Sequence, residues 1–235
     1  MWYVINDMKM KIIQHLVVVA LLVVAQWCGV AAVAQPAAVF TQDTISDALL
    51  ARMRKGGSWK AETPVALRAE LRYLRIQHWD ADGQPQVGEM VVNQRIADRV
   101  LRIFRKLYEA GYRVERMRLV DDYGADDEAA MQDNNTSCFN FRFIAHTKKI
   151  SKHGSGLAID LNPLYNPCVK ATGNGANDIQ PAAGRPYAFN RQRRKDIPYK
   201  IDRKDLAYKF FIADGFTWGG AWRSLKDYQH FEFPQ

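Results

Sequence analysis

The clearest hydrophobic pattern in the chain predicts a long amphipathic helix after Asn93. Asn93 suits the N-cap position, and Gly111 marks the end of the helix. The remaining positions are rich in arginine and lysine, which is typical of a solvated face. Five apolar residues recur at the spacing of one helix face: Ile96, Val100, Ile103, Phe104 and Leu107.

Two further helices and a series of strands follow from caps and apolar runs. Ser46 caps a helix over residues 46–54, and Asp202 caps one whose apolar face carries Leu206, Phe210 and Phe211. Residues 170–201 form a polar connection long enough for a lid or binding loop. Apolar or alternating runs predict strands at residues 71–80, 87–92, 112–120, 156–161 and 229–233.

This order of elements predicts the fold class and the domain limits. Strands interleaved with helices, with a hairpin turn at Asp82-Gly83, favour an α+β fold: a small, largely antiparallel sheet with helices packed on it. We expect residues 1–34 to be a signal peptide, residues 35–45 a linker and residues 46–235 one domain.

The first 34 residues have the pattern of a secretory leader. Lys9 and Lys11 precede an apolar run over residues 16–25, and small residues lead up to Ala34. Cleavage there would leave a mature chain beginning at Gln35, with no stable membrane association. The alternative is an uncleaved membrane anchor. We therefore expect an exported protein, periplasmic or secreted.

Composition and charge narrow the classes of partner. Of the 235 residues, 48% are hydrophobic and 25% charged, which excludes wholesale disorder, collagen and coiled coil. The net charge of +8 suits an acidic partner, such as nucleic acid, an anionic membrane surface or an anionic cell-wall polymer. The lysines and arginines look spread along the chain and no nucleic-acid motif is present, so we expect no nucleic-acid partner.

Two cysteines, Cys138 and Cys168, remain after the leader. In an oxidising compartment a pair of cysteines predicts one disulfide. The alternative is two buried free thiols.

Two polar clusters in apolar strands suggest a metal site. His153 lies in a glycine-bracketed turn, and Asp160 lies in an apolar strand where an unpaired carboxylate is costly. A metal ion would pair Asp160; the alternative is an aspartate that forms a salt bridge or caps the backbone. In the last strand, His230 and Glu232 alternate with two phenylalanines and so share a face, with Asp227 at its entry.

These residues supply the chemistry of a catalytic zinc site. Two histidines and one carboxylate, here His153, Asp160 and His230, are a zinc ligand set with the fourth position left for water. A further carboxylate acts as the base, for which Asp227 and Glu232 are the candidates. The helical His-Glu-x-x-His motif of other zinc proteases does not occur in the sequence.

The compound motif Ser-x-His-x-x-Gly-x-Ala-x-Asp, followed by Asp-x-x-His, resembles the family of zinc D-alanyl-D-alanine carboxypeptidases and L-alanyl-D-glutamate endopeptidases. The surrounding residues 134–137, 139–142, 162–163 and 218–222 resemble an exported branch of this family. The matching motif positions are Ser151, His153, Gly156, Ala158, Asp160, Asp227 and His230.

The resemblance implies a fold shared with hedgehog signalling domains and a role for each site residue. His153, Asp160 and His230 would bind one zinc ion, and Asp227 would be the general base. Arg142 would polarise the scissile carbonyl; the alternative for it is a structural salt bridge.

Two other residues would support the site without touching the metal. Ser151 matches a residue that orients the site, as the resemblance implies. Strand alternation places Glu232 beside His230, where it can accept a hydrogen bond from the imidazole.

The resemblance also implies the substrate, peptide bonds of peptidoglycan stem peptides. Aspartate at position 227 is typical of the L-alanyl-D-glutamate endopeptidase branch, so we expect that activity in a monomeric enzyme. The alternatives are a D,D-carboxypeptidase that removes terminal D-alanine, and a catalytically silent, zinc-containing wall-binding protein.

Overall fold

The N-terminal part of the described chain is an antiparallel sheet with strand order β1-β2-β3. The computed structural model describes residues 38–144, 147–173 and 175–234. The strands are β1 (Phe40–Thr44), β2 (Leu71–Trp79) and β3 (Pro85–Asn93). The predicted β2–β3 hairpin is confirmed, with Leu71 opposite Asn93 and Gly83 in its turn at φ 76°.

The predicted leader, residues 1–34, lies outside the described residues. The linker prediction is wrong for residues 40–44, because this segment pairs with β2 along its whole length. The polar side chains of the segment hid the strand, since four of its five residues are exposed at the edge of the sheet. Among the described residues, no helix is long and apolar enough to cross a membrane.

Five α-helices occur in the described chain: α1 (Asp47–Gly56), α2 (Leu67–Glu70), α3 (Gln94–Glu109), α4 (Asp127–Gln132) and α5 (Leu206–Ala213). The predicted caps of α1 and α3 are confirmed: Ser46 and Asn93 each accept a backbone hydrogen bond from the first turn. The predicted cap of α5 is wrong, because Asp205 accepts from the first turn in place of Asp202. The five predicted apolar residues of α3 are buried.

Two smaller antiparallel sheets carry the C-terminal half. One has the order β4-β9-β7, from β4 (Ala158–Asp160), β9 (His230–Glu232) and β7 (Thr217–Trp218). The other has the order β6-β5-β8, from β6 (Asn177–Gln180), β5 (Cys168–Ala171) and β8 (Leu225–Asp227). The α+β class is therefore confirmed, and the described residues form three small sheets in place of the predicted one.

Two sequence predictions fail in the connections. Residues 112–120 form no strand, because they make only isolated bridges. The backbone N–H groups of Glu115 and Arg118 donate to asparagine side chains instead of to a neighbouring strand. The alternation in this segment reflects burial of Val114 and Met117 rather than a continuous ladder. The predicted connection 170–201 contains most of the β5–β6 hairpin and a 3₁₀ segment at residues 182–187.

The site strands rest on a buried core. Phe231 of β9 stacks on Phe211 of α5 with ring centroids 4.3 Å apart, and both side chains are fully buried. Ile159 of β4 is also fully buried, and Phe104 of α3 packs edge-on against Phe211. The polar residues that alternate with these apolar anchors are thereby fixed on the opposite face.

The disulfide prediction is wrong, because Cys138 and Cys168 are free thiols in the structure. Cys138 is buried among apolar residues of the main core. Cys168 lies opposite Asp227 in the β5–β8 pair, and the charge of that carboxylate adds to the effect of burial on the pKa of its thiol. Burial raises the pKa of both thiols, so they stay protonated at neutral pH.

Candidate metal centre and active site

The three predicted metal ligands converge on one point. Asp160 of β4 and His230 of β9 are direct partners in the antiparallel pair, and His153 comes from the 3₁₀ turn that precedes β4. His153 Nε2 lies 3.2 Å from Asp160 Oδ2 and 3.2 Å from His230 Nδ1. His230 Nδ1 lies 3.1 Å from Asp160 Oδ1.

Hydrogen bonds on the far side of each ring set which nitrogen faces the centre. His153 Nδ1 lies 2.8 Å from the Cys138 carbonyl, and His230 Nε2 lies 3.2 Å from Glu232 Oε2. Both of these oxygens are acceptors, so each ring nitrogen facing them donates. In the neutral imidazoles the other nitrogens, His153 Nε2 and His230 Nδ1, therefore present lone pairs to Asp160.

Three acceptors facing one another fit a divalent cation. The ligand atoms of the three residues lie within 4.8 Å of one another. Tetrahedral zinc ligands at about 2.0–2.1 Å from the ion stand roughly 3.3 Å apart, close to the separations seen here. Two imidazoles and one carboxylate, each imidazole held by an outer oxygen, are the donor set of a catalytic zinc site with one open position.

The charges at this centre are strongly coupled. Burial alone would raise the pKa of Asp160, but the charge and hydrogen bonds of His153, followed by those of His230, hold it well below its usual range. Burial would lower the pKa of His230, but hydrogen bonds to Asp160 and Glu232 raise it. The hydrogen bond from His230 lowers the pKa of Glu232. Without metal the centre thus favours a proton on His230.

Asp227, the predicted base, lies at the end of β8 beside the ligands. Burial raises its pKa to about 6, although the neighbouring His230 opposes the shift. Its Oδ1 is buried and has no hydrogen-bond partner. A buried carboxylate oxygen without a donor is costly. This orphaned acceptor is suited to take a proton from a substrate or water placed beside it.

Glycine allows the chain to close around His153. The Oγ of Ser151 accepts a hydrogen bond of 2.9 Å from Gly154 N, so this predicted orienting residue holds the turn through its backbone. A Cβ on Gly154 would lie 2.7 Å from the Arg142 carbonyl. Gly156 has φ 67°, and its carbonyl accepts from Asn93 N, which ties the turn to the end of β3.

The guanidinium of Arg142 is engaged elsewhere. Its Nη1 lies 3.0 Å from Asp127 Oδ2 in α4, and 3.5 Å from the Asn140 carbonyl. Asn140 also donates to Asp127, so the ion pair is part of a small network. The structure thus brings the backbone of Arg142 against the His153 turn and holds its side chain in a salt bridge with Asp127.

Sequence reasoning missed two features of the site. The carbonyl that orients His153 belongs to the backbone of Cys138, which no side-chain pattern reveals. Gly219 packs against the strand of the base, since a Cβ there would lie 2.8 Å from Asp227 Cβ. The Trp-Gly-Gly run at 218–220 was the available signal for this close approach.

A family model described as D-alanyl-D-alanine carboxypeptidase matches residues 145–233. Comparison with the curated proteins and with the solved structures gave no significant match. The matched segment contains the three candidate ligands, Asp227 and Glu232; Arg142 lies before it. The match supports the D-alanyl-D-alanine carboxypeptidase-like peptidase family for the part of the chain that carries the candidate site.

Proposed function

We propose that this protein is a zinc peptidase that hydrolyses peptide bonds in peptidoglycan stem peptides. The observation that carries the proposal is the convergence of His153, Asp160 and His230, with both outer ring nitrogens bonded to oxygen acceptors. Asp227 beside them, whose Oδ1 is buried and has no hydrogen-bond partner, adds a second carboxylate that can act as the base in hydrolysis.

The three ligands would hold one zinc ion. Zinc bound there would lower the pKa of a coordinated water toward about 7 and polarise a carbonyl. Asp227 accepts the proton of the attacking water on its unpartnered Oδ1 and later donates it to the leaving amine. Glu232 keeps His230 in the tautomer that presents Nδ1 to the metal.

Arg142 is the proposed partner of the scissile carbonyl. A guanidinium there would share the negative charge that develops on the carbonyl oxygen. Because Arg142 is paired with Asp127, this role requires substrate to replace that ion pair. Arg142→Lys should then lower kcat with zinc content unchanged, whereas Asp127→Asn, which frees the guanidinium, should not. Equal losses in both variants would assign the pair a structural role.

The proposed bond is the one between L-alanine and D-glutamate. We choose this bond because aspartate at position 227 is typical of the endopeptidase branch that the sequence resembles. The second candidate is a D,D-carboxypeptidase, which the description of the matching family model favours. Export of the enzyme, periplasmic or secreted, is proposed from the leader pattern and places it with this substrate.

Muropeptide digestion tests the function. The purified zinc-loaded protein is incubated with defined muropeptides and the products are identified by mass spectrometry, with His153→Ala as the metal-free control. Cleavage after L-alanine supports the endopeptidase, and loss of terminal D-alanine supports the carboxypeptidase. A zinc-loaded wild type that cleaves neither bond would contradict the proposal and favour a silent wall-binding protein.

A further inference from the structure

A basic cavity of about 650 Å³ lies behind the strand that carries Asp227. Its lining consists of residues 191–195 and 200–204, together with Trp218, Gly220, Ala221, Lys226 and Tyr228. Lys226 and Tyr228 precede and follow Asp227 in the sequence, but Asp227 does not line the cavity. Since neighbouring side chains of a strand point to opposite faces, the cavity and the metal centre lie on opposite sides of β8.

This cavity, called the basic cavity from here on, carries a high density of positive charge. Eight of its lining residues are lysine or arginine and one, Asp202, is acidic. The lining carries a formal charge of +7, close to the +8 of the whole chain. Seven of the eight come from residues 191–204, so the sequence expectation of evenly spread lysines and arginines is wrong.

Most of these charges have no acidic partner. Arg194 pairs with Asp196, and Lys200 lies 3.5 Å from Asp202. Among the described residues the other six form no ion pair, and four of them are exposed: Arg193, Lys195, Arg203 and Lys204. Like charges held together destabilise the fold, and a concave site focuses their field on a counter-ion.

Arg191 brings a buried positive charge to the wall of the basic cavity. It is 4% exposed and donates to three neutral oxygens, the carbonyls of Tyr165 and Tyr187 and the side chain of Asn166. Its Nε has no hydrogen-bond partner. A buried guanidinium without a carboxylate is costly, and a bound anion nearby would offset that cost.

The aromatic residues of the basic cavity indicate that a ligand is recognised by its charge rather than by stacking of nucleic-acid bases. Arg191 covers the face of Tyr228 at 4.3 Å, and Trp218 packs edge-on against Tyr208 with its indole N–H on the Tyr228 carbonyl. Single-stranded nucleic acids are held on free aromatic faces. Trp218 is buried and Arg191 occupies one face of Tyr228, so charge is the main feature that the basic cavity offers a ligand.

We propose that the basic cavity is a second binding site, for the carboxylates of the wall polymer outside the bond that is cut. This inference rests on the proposed function, which supplies a carboxylate-rich polymer as the substrate. Because Lys226 and Tyr228 flank Asp227, a polymer held there is kept beside the active site while its peptides are cleaved.

Co-sedimentation with insoluble peptidoglycan tests the proposal. Zinc-loaded Asp227→Asn protein is used so that the polymer is not consumed. We expect Arg203→Glu/Lys204→Glu, made in this background, to weaken binding at least tenfold. The matched control is Arg54→Glu/Lys55→Glu, which reverses an exposed Arg-Lys pair on α1, away from the basic cavity; its binding should change less than threefold.

Chemical modification of the polymer provides the second arm. Amidation of the peptidoglycan carboxylates should weaken binding of the parent protein at least tenfold and erase its difference from the Arg203→Glu/Lys204→Glu variant. Binding that survives amidation, or equal effects of the two charge reversals, would overturn the proposal. Tighter binding to single-stranded DNA than to peptidoglycan would overturn it in favour of nucleic acid. None of these readouts requires hydrolysis, so failure of the proposed function would be seen separately in the muropeptide assay.

Discussion

Asp227→Asn should stabilise the metal-free protein increasingly as the pH rises. The pKa of this buried carboxyl is about 6 in the folded chain, against an ordinary value of 3.8. The folded state therefore binds the proton more tightly than the unfolded state, and folding becomes less favourable as pH rises through this range. The full difference corresponds to about 3 kcal/mol, of which about 1.4 kcal/mol falls between pH 5 and pH 8.

The assay is urea unfolding in the presence of a chelator, at pH 5 and pH 8, for wild type and Asp227→Asn. The variant should gain about 1 to 1.5 kcal/mol relative to wild type between the two pH values. Any constant offset from the new amide cancels in this comparison. Asp178→Asn is the matched control, since it removes an exposed carboxylate from the same sheet and should leave the pH slope of wild type unchanged.

A difference between Asp227→Asn and wild type that is flat from pH 5 to pH 8 would refute the reasoning. It would mean that the carboxyl group is hydrated or paired in solution, whereas in the structure its Oδ1 is buried and has no hydrogen-bond partner. The same variant should lose hydrolysis by several orders of magnitude with zinc content near one per chain, because the proton acceptor is gone.

Glu232→Gln should weaken zinc affinity about 10- to 100-fold in a competition titration with a chelating dye, because the amide can offer His230 a donor in place of the acceptor; unchanged affinity would separate Glu232 from the metal. Gly219→Ala should lower kcat at least tenfold, since its Cβ would lie 2.7 Å from the Asp227 carbonyl, whereas Gly173→Ala, with open space around it, should leave kcat unchanged. Reducing agent should not shift the Tm, because the cysteines of the described chain are free thiols. A fall in the Tm of several degrees would instead support a disulfide between Cys138 and Cys168.

Local sequence patterns predicted the helices and caps of this fold well, but they did not predict which distant segments pair. The caps Ser46 and Asn93 and the apolar face of α3 follow from local periodicity and capping chemistry, and the structure contains them. The edge strand β1 could not be read in this way, because its exposed residues carry no alternation and its partner β2 begins 27 residues later. Local patterns do not encode which edge a polar segment joins.

The convergence of the candidate ligands was predictable, because side chains in a strand alternate between its two faces. Phe231 and Ile159 take the buried face, which leaves His230 and Asp160 together on the other. The sequence could not identify the ion-pair partner of Arg142. Asp127 lies in another element, and several other acidic residues stand close to Asp127 in the chain. The basic cavity follows from the local charge of residues 191–204, which the net charge of the whole chain does not reveal.

Titration of zinc into the metal-free enzyme tests the central claim most directly. Hydrolysis of a muropeptide is measured at each addition, with Asp160→Asn as the control that lacks the ligand carboxylate. Activity should rise in proportion to zinc and stop rising at one equivalent per chain, and the control should stay inactive over this range. Full hydrolysis in excess chelator, or none at saturating zinc, would contradict the assignment of His153, Asp160 and His230 as a catalytic zinc centre.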